Sequence, residues 1–417
     1  MRISTTGPVS FTRAEKVRRR VPKRGAAMRE LAGLRTASLA EGYKGAILAG
    51  RDLGPYEEAL RSLEAQAIET SVFSGPDFLV SAARHLRDAD QPAALLVWQQ
   101  VSGAADHLVA LWPLQASRQR GPGAAVRAWS HPLSGGGAPL IARDAPEAII
   151  AASLRLLARL NHSERALRLS GLWEDGPFMS ALTRLAAEKN LPLVPFDRHR
   201  RAVFSGEPTQ ADESGKGGKD LRRLARRLAE QGSLTFSMAE TYADIRTSAE
   251  EFLALEAAGW KGQAGTALVQ NIDTANFTRA LTWSMAQRNS IRIARLDLDG
   301  RMVAGGILFL PARSGVLWKI AYDENLARFS PGVQLVAALS TALREAGGID
   351  RIDSCAMAGH AMIESLWPGR APVCDLLIGL APDQSTAFKV ALARERLRRR
   401  LRAGVKHWFG RLKTPVP

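Results

Sequence analysis

Two periods alternate along this chain. Apolar residues three or four apart mark helices, and apolar residues two apart mark strands. In the first half, "YEEALRSLEAQA" and "GPDFLVSAARHL" carry the helical period, with Asp77 placed to favour the start of the second helix. Ala93–Gln100 and His107–Gln115 then read as a β-hairpin across a Ser-Gly turn. "AVRAWSH" reads as a further strand and "PLSGGGAPLI" as a Gly-rich loop. A helix begins near Pro146, and "RALRLSGL" and "LPLVPFDRHRRAVF" read as strands.

The second half repeats that order. After the strand "SLTFSMAE" come the helices "DIRTSAEEFLALEAAGW" and "TANFTRALTWSMAQRN". A three-strand meander follows: "IRIARLDL", "RMVAGGILFL" and "GVLWKIAYD". Its first turn is Asp299-Gly300, among the strongest hairpin signals a sequence carries. The helix "PGVQLVAALSTALREAGG" and the strands "IDRIDSC" and "PVCDLLIG" complete the half. The fold class expected is mixed α+β, with mostly antiparallel sheets flanked by helices.

Composition changes this picture at its edges. Residues 205–219 form a polar Gly/Ser break that reads as a linker. The chain therefore divides into a basic disordered arm (1–40), one domain (41–204), the linker (205–219), a second domain (220–380) and a basic amphipathic helical tail (381–417). The net charge of +16 is confined to the ends. Residues 1–35 and 381–417 each hold ten basic and two acidic residues, so the body is neutral. Nucleic acid is therefore not an expected partner of the body. In the tail, Leu397, Leu401, Val405 and Trp408 are spaced to face an anionic membrane surface or the protein's own core. The N-terminus lacks the apolar stretch of a secretory signal, and no apolar run is long enough to span a bilayer. Two cysteines make neither a disulfide framework nor a metal site. The expectation is a cytoplasmic protein, at most peripheral to the inner membrane surface, with no metal.

Candidate chemistry gathers around the meander. Ser330, Pro331 and Gly332 stand where its last strand meets a helix. A helix start leaves backbone N–H groups unpaired and suits a phosphate. Pro331 fits the first turn, Gly332 permits close approach, and Ser330 is placed to cap the helix or to donate to a phosphate. An ordinary capped helix needs the same residues.

Strand, helix start, helix and further strand in this order resemble the GNAT superfamily of N-acetyltransferases. The blocks "EEFLALEAAGWKGQAGTAL", "IAYDENLARFSPGVQL" and "IDSCAMAGHAMIESLWPGRAPVCDLLIG" resemble the acetyltransferase domain of the CelD-like family, associated with cellulose biosynthesis and related to Fem-type transferases. The likeness is strongest over residues 215–380 and fainter over 70–200. It implies two tandem GNAT-like domains. It implies acetyl-CoA as acyl donor, with Ser330, Pro331, Gly332 and Val333 at its pyrophosphate and Lys319 and Ile320 along its pantetheine arm. The phosphate loop departs from the usual pattern, with one glycine and a proline in "RFSPGV". The implied reaction is direct transfer to an amine or hydroxyl, with a sugar or exopolysaccharide precursor as acceptor by family association alone.

Such a transfer needs a base and a proton for the leaving thiolate. Glu256, Asp323 and Asp353 are the candidate bases. Tyr322 is placed to protonate the thiolate. Trp260, Lys261 and His360 are candidates for the acceptor pocket. Each has a plainer reading as a surface, packing or strand-end residue. Cys355 has no marked His or acid partner and is not expected as a nucleophile. His131 with "SGGGAP" reads as a surface turn or a second anion site. Two rivals stay open: a Fem-like transferase using aminoacyl-tRNA, gripped by the helix carrying Arg222–Arg227, and a non-catalytic scaffold of a polysaccharide-synthesis complex.

Overall fold

The computed structural model describes residues 35–412, apart from 88–90, 104, 117–120, 122, 161–164, 207–215, 358 and 382–384. Residues 1–34 of the expected arm and most of the expected linker lie outside that set. The first half opens with β1 (Arg35–Ser38) and β2 (Tyr43–Ala49). Here the expectation is corrected, since Arg35–Ser38 falls within the stretch read as disordered. The reason is β2, an almost wholly buried strand whose two edges both need partners; β3 covers one and β1 the other.

Then follow α1 (Glu57–Gln66), α2 (Pro76–His85), β3 (Pro92–Gln99), β4 (His107–Gln115), β5 (Val126–Arg127) and β6 (Leu140–Ile141). The half ends with α3 (Pro146–Leu160), β7 (Ala166–Trp173), α4 (Pro177–Lys189) and β8 (Leu193–Phe204).

The second half contains α5 (Lys216–Ala229), β9 (Leu234–Ala239), α6 (Tyr242–Ala258), α7 (Trp260–Gln263) and α8 (Ile272–Gln287). Side-chain caps start the two long helices: Thr241 accepts from the Asp244 N–H at 3.2 Å, and Asn271 from the Asp273 N–H at 2.8 Å. The meander is β10 (Ile291–Leu298), β11 (Arg301–Phe309) and β12 (Ser314–Tyr322). Asp299 and Gly300 both take positive φ, 50° and 77°, as a tight hairpin turn requires. Next come α9 (Pro331–Ala346), β13 (Arg351–Asp353), α10 (Ala361–Leu366), β14 (Gly369–Gly379) and α11 (Thr386–Leu412).

Two sheets result. One has five strands in the order β1-β2-β3-β4-β6. The other has nine, in the order β5-β7-β14-β8-β13-β12-β11-β10-β9. The nine-stranded sheet joins both halves. The C-terminal strand β14 inserts between β7 and β8, while β8 pairs with β13 through Ile352↔Phe204 and Asp353↔Val203. The halves thus share strands across the expected linker.

Three apolar clusters hold this arrangement. The largest spans both halves, with Phe78 edge-on to Phe277 at 5.2 Å between ring centroids. Truncating such a buried phenylalanine costs about 3–5 kcal/mol. The second lies on the other face of the meander, where α9 packs Leu335 and Leu339 against Val303, Leu308 and Leu317. The third seats α11 through Phe388 and Ala391 on Ala166 and Leu377. A buried polar joint ties α2 to α8. Asp77 accepts from Ser284 at 2.6 Å and from Arg288 at 2.7 Å, and Arg288 also reaches Glu64 at 2.8 Å.

Candidate active site

β12 and β13 run parallel, as a helical crossover dictates, and pair only through Ser314↔Arg351, Gly315↔Ile352 and Val316↔Asp353. Past Val316 the strands part, and β12 continues to Tyr322 with β11 as its one ladder partner among the described residues. Its register against β11 passes from Leu308↔Leu317 to Ile307↔Lys319, so Trp318 is a bulged residue. The Trp318 ring is held from both halves. Its Nε1–H donates to the Leu133 carbonyl at 2.8 Å, and the ring lies 5.1 Å from Phe309.

Lys319 follows the bulge, its Nζ 5.4 Å from the centre of the Trp318 ring. Burial lowers its pKa from the ordinary lysine value, and the nearby charge of Lys261 lowers it further; Glu256 and Cys355 act the other way. Among the described residues its ammonium has no hydrogen-bond or ion-pair partner. Glu256 is 4% exposed. Its Oε1 accepts from Lys261 Nζ at 2.7 Å and its Oε2 from the Leu268 N–H at 2.8 Å. Trp260 stands out at 58% exposure, and its backbone N–H donates to Glu324 Oε1 at 2.7 Å. A small cavity of about 40 Å³ is lined by Glu256, Trp260, Lys261, Ile320, Tyr322 and Glu324. A larger one of about 720 Å³ shares Tyr322 and Glu324 with it and extends to Asp323 and the Asp299–Arg301 turn.

The structure thus brings Glu256, Trp260, Lys261, Ile320 and Tyr322 around one cavity, with Lys319 beside them. It separates the other expected residues. Asp323 lines the larger cavity, but its Oδ1 accepts from Asn325 and its Oδ2 from Arg301, both at 3.0 Å. Asp353 accepts from Arg201 at 2.7 Å and from the Cys355 N–H at 2.8 Å, and lines a different cavity beside Glu69. His360 is exposed at the start of α10.

The helix start differs from expectation in one respect. Ser330 takes a left-handed conformation and makes no side-chain cap, while its carbonyl accepts from the Val333 and Gln334 N–H groups. Pro331 and Gly332 are buried, and Val333 is half-buried. A Cβ on Gly332 would meet the Tyr322 ring at 3.2 Å. The ring of Tyr322 therefore covers the glycine that an anion would approach.

Two groups went unforeseen. One is Glu69, whose pKa burial raises to about 7 against an opposing hydrogen bond from the Phe178 N–H. The other is Arg201, which holds Asp353. Glu69 follows the end of α1 in "AQAIETS", with no periodicity to mark it. Cys355 is partly buried, and its thiol is pushed well up by desolvation and by Asp353; such a thiol is inert at neutral pH. His131 stacks on Trp129 and accepts from the Leu133 N–H, as part of a folded turn. Among the described residues no group of His, Cys, Asp or Glu could hold a metal ion, and no helix is long and apolar enough to cross a membrane.

Residues 215–361 match the acetyltransferase (GNAT) domain. That stretch contains β9 to β13 and all of the parted strands. The fold is also similar to the C-terminal domain of a protein from Agrobacterium fabrum named as a lysylphosphatidylglycerol synthetase. Identity is 15%, coverage 82% of this chain and 94% of that one, and the TM-score 0.50. A tandem GNAT protein from the clavulanic acid biosynthesis pathway aligns at 14% identity, covering 82% of this chain and 100% of that one, with a TM-score of 0.41. FemX aligns at 8% identity over 82% and 97%, with a TM-score of 0.48. No curated protein sequence matches the chain. The matched GNAT domain supports an acyl-transferring enzyme.

Proposed function

We propose that the protein moves an acetyl or related acyl group from acyl-CoA to an amine or hydroxyl acceptor, in the gap where β12 leaves β13. The observation that carries this is the free β12 edge past Val316, with the Trp318 bulge and the half-buried Lys319 upon it. An extended amide-bearing arm such as pantetheine finds unpaired backbone groups on every second residue of such an edge; the Asp323 N–H bonds back to Val303, which turns those of Ile320 and Tyr322 outward while the Lys319 side chain lies beside them.

The acceptor nitrogen or oxygen attacks the thioester carbonyl, the C–S bond breaks, and CoA leaves as the thiolate. Lys319, beside the cavity and without an ion-pair partner among the described residues, takes the acceptor's proton; burial and the charge of Lys261 lower its pKa from the ordinary lysine value. This departs from the carboxylate bases expected of the sequence. Both oxygens of Glu256, Asp323 and Asp353 already accept hydrogen bonds. Glu256 instead holds Lys261 in place, and Trp260 offers an exposed ring to the acceptor. Tyr322 gives its hydroxyl proton to the thiolate when its ring swings off Gly332, and the phenolate left behind regains a proton as Lys319 releases the one it took, both through solvent. The same movement opens Ser330, Pro331, Gly332 and Val333 to the donor's phosphates. Two GNAT-like units, 41–204 and 220–380, build this site by exchanging strands. A saccharide acceptor rests on the resemblance to the CelD-like family, and a cytoplasmic setting on the sequence reading above.

A second reading, transfer from an aminoacyl-tRNA, is favoured by α5. It exposes Arg222, Arg223, Arg226 and Arg227 and packs against the turn Glu324–Phe329 and α9. Calorimetric titration with acetyl-CoA and CoA separates the two. Saturable binding of both, weakened by Gly332→Glu while the fold is kept, supports the acyl-CoA reading. No binding at millimolar concentration removes it in favour of the tRNA reading.

A further inference from the structure

α11 has two faces, and the fold uses only one. Phe388 and Ala391 sit in the third apolar cluster, and Glu395 is buried beside them. Glu395 accepts from Arg398 at 2.5 Å and from Arg399 at 2.6 Å, and Arg399 also donates to Asp375 at 2.8 Å. That face is fixed to the body. With about 100° per residue, positions 390, 397 and 401 lie roughly opposite 388 and 395. They are Val390, Leu397 and Leu401, exposed by 37%, 58% and 63%. Exposed basic residues flank this apolar ridge: Lys389, Arg394, Arg396, Arg400 and Arg402. Glu395 is the one acidic residue between Thr386 and Arg402, and it points inward.

We propose that this outward face of α11 docks the protein on a bilayer carrying anionic lipid. The ridge supplies apolar side chains to the acyl boundary, and the flanking cations meet the headgroups. Other occupants fit less well. A second copy of the helix would set arginine against arginine. A nucleic acid would meet the charges but leave Leu397 and Leu401 without a partner. The inference is independent of the acyl-transfer chemistry, since no residue of α11 lines that site.

The test is flotation of the full chain with mixed phosphatidylcholine–phosphatidylglycerol vesicles, against pure phosphatidylcholine vesicles. The wild type should float with the mixed vesicles and not with the neutral ones. Leu397→Asp/Leu401→Asp should lower partitioning at least about tenfold. Lys389→Glu/Arg400→Glu should lower it as well. Both variants alter exposed positions, so both should keep the wild-type melting temperature. The proposal is overturned if the wild type stays with the free protein. It is also overturned if binding survives Leu397→Asp/Leu401→Asp and only salt removes it, which would mean charge alone. A wild-type dimer that this variant dissolves, with no vesicle binding, would assign the ridge to self-association instead.

Discussion

The two halves share an order of elements, yet they treat the same place in opposite ways. In the second half, a parallel pair of three residues opens into a gap along β12. In the first half the corresponding parallel pair is Val126↔Leu167 and Arg127↔Arg168, and the chain then leaves the sheet. Its Gly-rich loop turns back onto β7. The Gly137 N–H donates to the Ser170 carbonyl at 3.0 Å. A Cβ on Gly136 would come within 2.4 Å of that carbonyl oxygen, and one on Gly171 within 2.4 Å of the Gly135 carbonyl. The gap in this half is filled by the protein's own backbone. One fold therefore supplies an open strand edge and a plugged one. The plug also serves the open site, because its Leu133 carbonyl holds Trp318.

This comparison can be broken most forcefully at the plug. Gly136 has φ +78° and no room for a side chain. Gly136→Val should cost more than about 3 kcal/mol, from strained backbone and overpacking together. Thermal unfolding reads it, and a melting temperature within a degree or two of wild type would mean the loop is not a plug.

At the open edge, Lys319→Met should keep donor binding but slow acyl transfer at least about a hundredfold, as loss of a general base does. The wild-type rate should rise with pH through a lysine pKa below the ordinary 10.5, and the variant should lose that rise. A variant with an unchanged pH profile would return the role of base to a carboxylate.

A smaller effect sharpens the boundary between the halves. Glu69 lines a cavity with Gly136, Gly137 and Asp353. Its carboxyl shifts from 4.5 to about 7 on folding. Between those values the folded state keeps a proton that the unfolded state has lost, so stability falls as pH rises through that window. Glu69→Gln removes the dependence. It should stabilise the protein by about 3 kcal/mol above pH 7 and by nothing below pH 4. Melting curves at the two pH values check it, and equal shifts at both would contradict a half-buried, proton-holding Glu69.

Much of the fold was legible because its signals are local. Asp299-Gly300 fixed the hairpin, Pro331 the start of α9 and Gly347 its end. Helix α4 was equally legible, with Phe178, Ala181, Leu182, Leu185 and Ala186 on one buried stripe, but the sequence reading passed over it. The insertion of β14 between β7 and β8 was not legible, because no local pattern names a pairing partner some 170–200 residues away. The site was legible in its neighbourhood and not in its roles. Glu256, Lys261 and Tyr322 were found, but the hydrogen bonds that engage a carboxylate arrive from Leu268, Arg201 or Arg301, at positions the pattern does not connect. The bulge at Trp318 hid the role given to Lys319, which the sequence placed only along the donor's arm. It breaks the two-residue alternation, so Trp318 and Ala321 share one apolar cluster while Leu317 and Ile320 belong to the other.

The central claim is that the donor's arm lies along the free edge of β12. Amide hydrogen exchange with and without acetyl-CoA tests it most directly. The account predicts new protection in residues 317–322 and none in the plugging loop, 131–139. Protection confined to the loop, or none in β12 at saturating acetyl-CoA, would contradict it.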